Sequence, residues 1–472
     1  MPSFLKARHL FYLLVFATTF LVRHHPFFWD TIQLGSKHAH FFFENNFSSL
    51  ILPAEIDSGH PPTFGLYLAA VWKLFGKTLP VSHFAMLPFL VLIVWAAAEI
   101  GKYIVRAHRS SWLLLLLFAD PVFASQSVLV SPDIVLVSFF LLALLGHFRQ
   151  SASLLMLGFT GLMLISTRGM MVAFALLLFE ALVIFSEHRQ ELKSRLTTVI
   201  VAFLPGAVLA LAFLLFHWQQ TGWLGYHPDS PWAPSFERVD FKGFLKNLLV
   251  LAWRLADFGR IILLALLGWL AWNHLRTGQS LDRTTRHILL LTLCLAIVLF
   301  PPLLIHKGLL GHRYLLPIAI CLTFCFLRFI PTTRTAWNLY VFIAMLGLLS
   351  GNFWAYPQPI ATGWDATLAH LPWYGVQHKM MRYIDDRKIP LEKIGTAFPM
   401  VGPRKFIELN GRQDGFVPYD LSRQCMVLYA NVMNDFTKEE LDELFQKWKP
   451  VVKFSEGWVT MILFENPAPC EN

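Results

Sequence analysis

The chain has 472 residues, of which 56% are hydrophobic and 15% are charged. This composition excludes a soluble globular protein, and it excludes intrinsic disorder because disordered chains have few apolar residues and a high net charge. Cysteine and glycine are too few for a disulfide framework or a collagen-like repeat, with 5 and 27 residues respectively. We therefore expect a protein with several membrane-spanning helices.

The formal net charge of +9 does not by itself indicate a nucleic-acid-binding protein. Before Tyr356 the chain has 26 Lys and Arg against 15 Asp and Glu, and from Tyr356 onward it has 13 against 15. The basic excess therefore lies in the apolar part, where cytoplasmic loops collect Lys and Arg and where membrane lipids or an anionic ligand would be further partners. No basic, aromatic-rich soluble module is present, so we expect no nucleic-acid partner.

Apolar runs that approach the length of about 20 residues needed to cross a bilayer predict about eleven spans. The first run follows Lys6 and Arg8, and no small-residue cleavage site comes after it, so we interpret it as a retained helix and not as a signal peptide. The predicted runs are 10–28, 82–104, 112–131, 134–147, 153–166, 170–186, 196–217, 246–272, 287–305, 314–330 and 336–354.

The Lys and Arg residues of alternate loops predict the orientation. The N-terminus is expected in the cytoplasm, and the connection 29–81 is expected outside. A helix over 65–77 that crossed the membrane would invert every later loop, so we expect an amphipathic or partly inserted helix on the outer surface. The basic loops assigned to the cytoplasmic side lie near residues 102–109, 149, 189–195, 276–286 and 328–334.

The end of the chain has the composition of a small soluble domain. Thr437 and Glu440 have the spacing of a capping box that begins a helix, and 451–454 and 459–464 are predicted strands. This pattern predicts a mixed α/β fold outside the membrane. Two cysteines of this part, Cys425 and Cys470, could pair, whereas Cys294, Cys321 and Cys325 are expected to be packing residues within helices.

The expected fold class is thus an all-α polytopic membrane domain with a small C-terminal α/β extracytoplasmic domain. Residues 1–355 form the first domain, with surface helices in the outer loop 29–81, and residues 356–472 form the second.

Polar side chains at the predicted outer ends of helices stand out, because charge at the membrane edge is costly and usually functional. Each has a structural alternative: an aspartate at headgroup level, a histidine that caps a helix, an aspartate in a structural ion pair, or arginines that reach up to phospholipid headgroups. Together they would place a carboxylate and three basic groups where an anion could dock, which favours a site for a phosphate-bearing lipid. These residues are Asp30, His60, Asp133, Arg168 and Arg313.

Other polar groups indicate structure more than function. Arg254, Asp257 and Arg260 have the i, i+3 spacing of side chains that pair on one helix. Glu99 and Glu180 are near predicted inner ends and are expected to pair with loop arginines. No histidine spacing matches a metal site.

Several short sequence elements follow one another in a characteristic order and spacing. They are Trp29-Asp30 after the first helix, His60-Pro61-Pro62 before an aromatic-rich helix ending in Lys73-Leu74-Phe75-Gly76, Asp133 before an apolar helix, Arg168-Gly169 after a Gly-rich helix, and Arg313-Tyr314 with Pro317. In these elements, residues 10–330 resemble the membrane-embedded GT-C glycosyltransferases, particularly the bacterial aminoarabinose transferase and protein O-mannosyltransferase branch.

The chain departs from the family pattern at three positions. The family usually has an acidic pair where Asp30 and Thr31 stand, a lysine where His60 stands, and commonly a lysine where Arg168 stands. One candidate base therefore remains, and a histidine would make one phosphate contact titratable near neutral pH. Arginine keeps the charge of lysine and adds the capacity for bidentate phosphate contacts.

The resemblance implies an inverting glycosyltransferase that moves a sugar from a polyprenyl-phosphate donor to an acceptor on the outer face of the membrane. The acceptor would be a lipid, a protein or a cell-envelope polysaccharide, and the host membrane a bacterial inner membrane with the second domain in the periplasm. No cofactor is required, although a divalent metal could be accommodated. The implied roles are general base for Asp30, donor-phosphate binding for His60, Arg168, Arg313, Lys307 and His312, and orientation or sugar binding for Asp133 and Tyr314.

Two other functions remain open from the sequence. A flippase or carrier for lipid-linked sugars would also need arginines and an apolar groove, but transporters often show internal repeats and broken helices at mid-membrane, whereas the charged positions here concentrate at one face. A non-catalytic envelope assembly subunit is the second alternative, and it should tolerate the loss of Asp30.

Overall fold

The computed structural model describes residues 2–105, 109–225, 227, 230, 232–356 and 363–467, with side chains from residue 8 onward. Its first part is helical. A π-helix (Ile32–Lys37) precedes the second α-helix. The helices of this part are α1 (Pro2–Val22), α2 (His38–Glu44), α3 (Thr63–Phe75), α4 (Leu79–Phe84), α5 (Leu87–Ile104), α6 (Ser111–Ala119), α7 (Pro121–Val128), α8 (Pro132–Arg149), α9 (Ala152–Ile165), α10 (Thr167–Glu187), α11 (Leu192–Thr221), α12 (Phe241–Ala256), α13 (Arg260–Arg276), α14 (Arg283–Ile305), α15 (Leu316–Phe329) and α16 (Arg334–Gly351).

Within the described chain, six helical stretches are long and apolar enough to cross a membrane. Helices α6 and α7 are bent by 79° at their junction and give a seventh crossing if they count as one broken span. The chain is therefore an integral membrane protein, but the predicted number of about eleven spans is not reached by length and composition. The six stretches are Leu79–Ile104, Pro132–Arg149, Thr167–Glu187, Arg189–Thr221, Arg283–Ile305 and His312–Phe329.

The predicted run 246–272 is two helices and not one, so this prediction is wrong. Helix α12 ends at Ala256 and α13 begins at Arg260. Between them Phe258 and Gly259 both have positive φ angles, of 51° and 78°. An apolar sequence does not reveal this break, because two left-handed residues end a helix whatever the hydropathy of its neighbours.

The core of the helical part is centred on α8, which is buried on nearly all sides. Helices α5, α9 and α10 pack around it. At the contact of α8 with α9, a Cβ atom on Gly158 would lie 2.5 Å from the backbone nitrogen of Ala143. A small residue is needed at this point, as is common where membrane helices approach closely.

Ion pairs at the inner ends of these helices follow the prediction in one case and contradict it in another. Glu99 pairs with Arg149 at 2.5 Å and with Lys102 at 2.6 Å, as expected. Among the described residues, Glu180 pairs not with an arginine but with Nδ1 of His147 on α8, at 2.8 Å. Both side chains are buried, so a core histidine satisfies this carboxylate.

Helix α3, over the segment predicted to lie on the outer surface, has 13 residues and packs against α2. At 1.5 Å per residue it extends about 20 Å, which is too short to cross the hydrocarbon core of a bilayer. Its exposed last residues, Leu74 and Phe75, are apolar. Its position relative to the membrane remains a prediction.

The C-terminal part is a mixed α/β unit, as predicted. Thr437 and Glu440 form the expected capping box at the start of a helix, and the two predicted strands form a hairpin. The elements are α17 (Pro372–Asp386), β1 (Ile394–Thr396), β2 (Gly402–Pro403), α18 (Lys405–Glu408), β3 (Gly415–Pro418), β4 (Met426–Ala430), α19 (Lys438–Lys447), β5 (Lys449–Glu456) and β6 (Val459–Glu465). The sheet order is β2-β3-β1-β4-β6-β5, with β1 parallel to β3 and β4 and the other pairs antiparallel.

This unit has its own hydrophobic core, which also includes Phe28 and Leu129 of the helical part. Cys294, Cys321 and Cys325 are buried free thiols. Cys425 is disulfide-bonded, and Cys470, its suggested partner, lies outside the described residues.

Candidate active site

Asp30 lies in a tight turn that follows α1. Trp29 has a positive φ of 54°, an uncommon conformation for a bulky residue. The Thr31 hydroxyl stabilises this turn, since it donates to the carbonyl oxygen of Phe28 at 2.6 Å and accepts from the Phe28 N–H at 3.0 Å. The threonine that stands in place of a second acid is thus part of the turn that presents Asp30.

Asp133 and Arg168 lie in the first turns of α8 and α10, each two residues after a serine that caps its helix. The Ser131 hydroxyl accepts from the Asp133 N–H at 3.2 Å, and the Ser166 hydroxyl accepts from the Gly169 N–H at 3.0 Å. Serine is among the preferred N-cap residues because its oxygen satisfies a free N–H of the first turn. The two helix starts face each other, and Arg168 Nη2 lies 2.6 Å from Asp133 Oδ1.

Arg313 is the centre of the site. Its guanidinium forms ion pairs with Asp30 and Asp365, and its Nε lies 3.2 Å from Asp133 Oδ2. Its side chain is 10% exposed. The residues predicted from the sequence as separate polar positions therefore meet in one cluster, with the carboxylates held by arginines.

Asp365 was not predicted. It lies in a short 3-10 turn (Trp364–Ala366), and its backbone oxygen accepts from Ser125 Oγ at 2.8 Å and from Gln126 Nε2 at 2.7 Å, which fixes the turn against α7. Burial raises the pKa of Asp365, and the Arg313 guanidinium opposes that shift. No local motif marks this aspartate, and its place soon after the last apolar helix is the only signal in the sequence.

A cavity of about 310 Å³ opens beside this cluster. Arg168 stacks on the Tyr314 ring at 4.1 Å, and its buried Nη1 has no hydrogen-bond partner among the described residues. The lining combines polar and apolar side chains. The polar ones include Asp30, His60, Arg168, Arg313 and Tyr314, and the apolar ones include Phe64, Met171, Leu299, Pro302, Leu303 and Leu309.

His60 lines this cavity but does not titrate near neutral pH, contrary to the expectation. Burial, together with the nearby Arg168 charge, lowers the pKa of His60 to about 4. Its Nδ1 lies 2.5 Å from the Thr167 hydroxyl. The imidazole is therefore neutral at pH 7.

Two residues expected to bind phosphate lie elsewhere, and both assignments are corrected. Lys307 is exposed and pairs with Glu237 at 3.2 Å. His312 directs Nε2 toward Asp257 Oδ2 at 2.7 Å. Neither residue lines the cavity, although His306, Gly308 and Arg313 beside them do, because neighbouring side chains point in different directions.

The predicted pairing of three charged residues around the α12–α13 break is confirmed only in part. Arg254 lies 3.7 Å from Asp257. Arg260 instead forms a bidentate pair with Asp120, with distances of 2.6 and 2.7 Å. This pair joins α13 to the bend between α6 and α7. Among the described residues, no group of three or more His, Cys, Asp or Glu side chains is arranged to hold a metal ion.

The fold is similar to that of ArnT from Cupriavidus metallidurans. The apo crystal structure of ArnT aligns over 96% of this chain and 97% of that chain, with a TM-score of 0.51 and 11% sequence identity. This chain has the ArnT fold. The ArnT-like fold that the sequence resemblance implied is therefore confirmed.

The crystal structure of the same ArnT bound to undecaprenyl phosphate aligns with a TM-score of 0.49 and 13% identity, over 97% of this chain and 98% of that chain. No protein-family model matches the chain, and no curated protein matches it in sequence.

Proposed function

We propose that the chain is an inverting membrane glycosyltransferase that moves a sugar from a polyprenyl-phosphate donor to an acceptor on the outer face of the membrane. One observation carries the proposal. The cavity brings together Asp30, His60, Arg168 and Arg313 from separate parts of the chain, and a buried donor nitrogen of Arg168 has no partner in the described part of the chain.

The polar and apolar side chains of the cavity suit the two parts of such a donor. Apolar lining residues such as Phe64 and Leu303 would accept the first isoprene units. Arg168 Nη1 would donate to a phosphate oxygen, while Nη2 remains on Asp133. A guanidinium held by a carboxylate on one side is preorganised, so it would stabilise negative charge on the leaving phosphate without reorganising.

Asp30 is the proposed general base. Its side chain is 28% exposed, so an acceptor group can reach it. The acceptor hydroxyl or amine would lose its proton to Asp30 while its oxygen or nitrogen attacks the anomeric carbon. The bond from that carbon to the phosphate oxygen breaks, and its electron pair leaves with the phosphate. A single displacement inverts the anomeric configuration.

Arg313 would act on both the general base and the leaving phosphate. Its ion pairs with Asp30, Asp133 and Asp365 hold the base and the Arg168 partner at fixed positions. It also lines the cavity, so its charge adds to that of Arg168 near the phosphate. Tyr314 supports the Arg168 guanidinium by stacking.

The remaining expectations are part of the same proposal. We propose that residues 1–355 and 356–472 are separate domains, which is supported by their two hydrophobic cores. The proposed topology has about eleven crossings, a cytoplasmic N-terminus and an extracytoplasmic C-terminal domain in a bacterial inner membrane. The acceptor is proposed to be a lipid, a protein or a polysaccharide, and no cofactor is proposed.

The test is sugar transfer by the purified full-length protein in nanodiscs, with a panel of radiolabelled polyprenyl-phosphate sugars. Asp30→Asn should lower the rate by about 10³-fold, since it removes the general base. Arg168→Ala should weaken donor binding, whereas Lys307→Ala, a cation outside the cavity, should leave the rate unchanged.

Either of two results would contradict the proposal. Full activity of Asp30→Asn would remove the assigned base. Movement of labelled lipid across the bilayer without release of the sugar would instead indicate a carrier.

A further inference from the structure

A second cavity, of about 600 Å³, lies where the helical part meets the C-terminal unit. Its walls come from the segment that follows α1, from α17 and from α18 with the residue before it. Lining residues include His25, Tyr374, Gln377, Arg382, Asp385 and Arg404. None of these residues lines the first cavity.

Helix α17 presents a polar face to this cavity. Tyr374, Gln377, His378, Met381 and Arg382 line it, and their spacing of three and four residues puts them on one side of the helix. The helix packs on β5 and β6 through other residues, such as Val376 and Met380, which are buried in the second core. The polar face is therefore not a solvated surface of an isolated helix, because a second part of the chain closes over it.

Buried polar atoms in this cavity have no partners among the described residues. Gln377 is 2% exposed, and neither its Oε1 nor its Nε2 forms a hydrogen bond. Arg404 is 5% exposed with an unpartnered Nε, and Nδ1 of His25 is also unpartnered. Buried polar groups are nearly always satisfied in folded proteins, so an unpaired donor and acceptor on one amide indicate a molecule that supplies both.

The charges in the cavity favour an uncharged ligand. Arg404 already pairs with Glu408 at 2.8 Å and lies 3.4 Å from Asp385. Burial lowers the pKa of His25 to about 4, so its ring is neutral, and it stacks on Tyr374 with ring centroids 4.0 Å apart. Three carboxylates, of Asp385, Asp386 and Glu408, line the cavity against two arginines, Arg382 and Arg404, so the lining has an excess of negative charge that disfavours an anion.

We propose that this cavity binds an uncharged saccharide, with the Gln377 amide donating to one hydroxyl and accepting from another. Sugar hydroxyls both donate and accept, which matches the two unpaired amide atoms. That this saccharide belongs to the acceptor rests on the proposed function.

The connection to the first cavity is short and well fixed. His25 and Asp30 lie on one segment, whose Phe27 N–H donates to the Ile407 carbonyl at 2.9 Å and whose His25 carbonyl accepts from His83 Nε2 at 3.0 Å. A saccharide held at His25 would thus be fixed relative to the proposed base.

Saturation-transfer NMR on the full-length protein in nanodiscs tests the proposal without any donor. The probes are maltose, cellobiose and N,N′-diacetylchitobiose. We expect at least one to bind the wild type, and Gln377→Leu to weaken binding by about tenfold or more, because a nearly isosteric apolar side chain leaves the sugar hydroxyls unpaired.

Two further variants separate loss of the site from loss of the fold. Arg382→Ala, at the exposed rim of the cavity, should also weaken binding. Arg387→Ala, an exposed arginine at the end of the same helix that does not line the cavity, should bind as the wild type does.

Three outcomes would overturn the proposal: no disaccharide binds the wild type, Gln377→Leu binds as well as the wild type, or inorganic phosphate displaces the sugar. The first would mean that water alone satisfies Gln377. Asp30→Asn should still bind the disaccharide. A wild-type protein that binds the disaccharide but transfers sugar from none of the donors would contradict the proposed function and leave this site standing.

Discussion

Arg313 forms ion pairs with carboxylates from distant parts of the chain, since Asp30 is 283 residues away and Asp365 is 52 residues away. Burying an arginine with several carboxylates is favourable only if the geometry holds each partner. Thr31 fixes the turn at Asp30, the Ser131 cap fixes Asp133, and the hydrogen bonds from α7 fix Asp365. The neighbouring residues that fix these carboxylates are thus as important for the cluster as the charged groups themselves.

Asp365→Asn should impair this cluster. It removes one charge partner of the buried Arg313 and should lower the stability by about 3 kcal/mol, the lower range for breaking a buried pair. Because Arg313 also holds Asp30, sugar transfer should fall as well, by about tenfold or more. Thermal unfolding and transfer rates in nanodiscs measure the two effects.

The matched control is Asp442→Asn, which changes an exposed acid on α19. It should alter neither stability nor rate. If Asp365→Asn behaved like this control, Asp365 would have no role in holding Arg313.

The sequence predicted Asp30, Asp133, Arg168 and Arg313 as candidate site residues because charge at predicted helix ends is rare in apolar segments. It did not reveal Asp365, because that residue lies in a polar region where an acid is ordinary. It also misassigned Lys307 and His312, because proximity in sequence to Arg313 does not determine side-chain direction. Whether the clustered residues act on a substrate remains a prediction.

At the scale of elements, helix starts position the site. Ser166 caps α10 and lines the first cavity, and Arg168 lies two residues further on. Ser166→Ala should cost about 1 kcal/mol of stability through loss of the cap. It should also lower sugar transfer by about tenfold, because the first turn that carries Arg168 loosens.

Ser151→Ala is the matched control, because Ser151 caps α9 in the same way but does not line the cavity. It should lower the stability by a similar amount and leave the transfer rate unchanged. Equal transfer rates in the two variants would show that the Ser166 cap does not position Arg168.

The break between α12 and α13 depends on Gly259. It combines a positive φ with close contact, since a Cβ atom there would collide with the Gly347 carbonyl oxygen of α16. Gly259→Ala should therefore lower the free energy of unfolding by more than about 3 kcal/mol, as overpacking adds to backbone strain.

Gly278→Ala provides the comparison, because Gly278 has a positive φ of 66° and open space around it. Gly278→Ala should lower the free energy of unfolding by only about 1 kcal/mol, because only the backbone strain contributes there. Chemical denaturation in detergent would measure both variants, and equal losses would contradict the importance of the α13–α16 contact.

Apolar length predicted the existence of most helices, and the capping box and alternation predicted α19 and the β5–β6 hairpin. The break at Phe258 and Gly259 was missed, because it depends on backbone angles that follow from contact with α16. Local chemistry thus predicts where elements begin better than where tertiary contacts interrupt them.

At the scale of the whole molecule, buried histidines should make the protein acid-sensitive. Burial lowers their pKa values to about 4, whereas the unfolded chain binds these protons near pH 6.5. The contribution of these neutral histidines to the free energy of unfolding is therefore fully present above about pH 6.5. It is lost progressively as the pH falls toward about 4. The histidines, all outside the membrane-spanning stretches, are His25, His38, His40, His60 and His370.

We expect the melting temperature in detergent to fall by at least about 5 °C between about pH 7.5 and pH 5. His60→Gln should reduce this fall, because glutamine takes up no proton. His378→Gln, at an exposed histidine, should leave it unchanged. A melting temperature independent of pH would show that these histidines are protonated in the folded protein.

The sequence by itself determined that the chain is an integral membrane protein with a small α/β unit at its end, because hydropathy, capping and strand alternation are local properties. It also determined which polar residues were candidates for a site. Only the tertiary structure decided that Arg313 joins three carboxylates, that His312 and Lys307 point away, and that Gln377 is buried with no partner among the residues that the structure describes. These are properties of side-chain direction and burial, which depend on contacts between segments far apart in the chain.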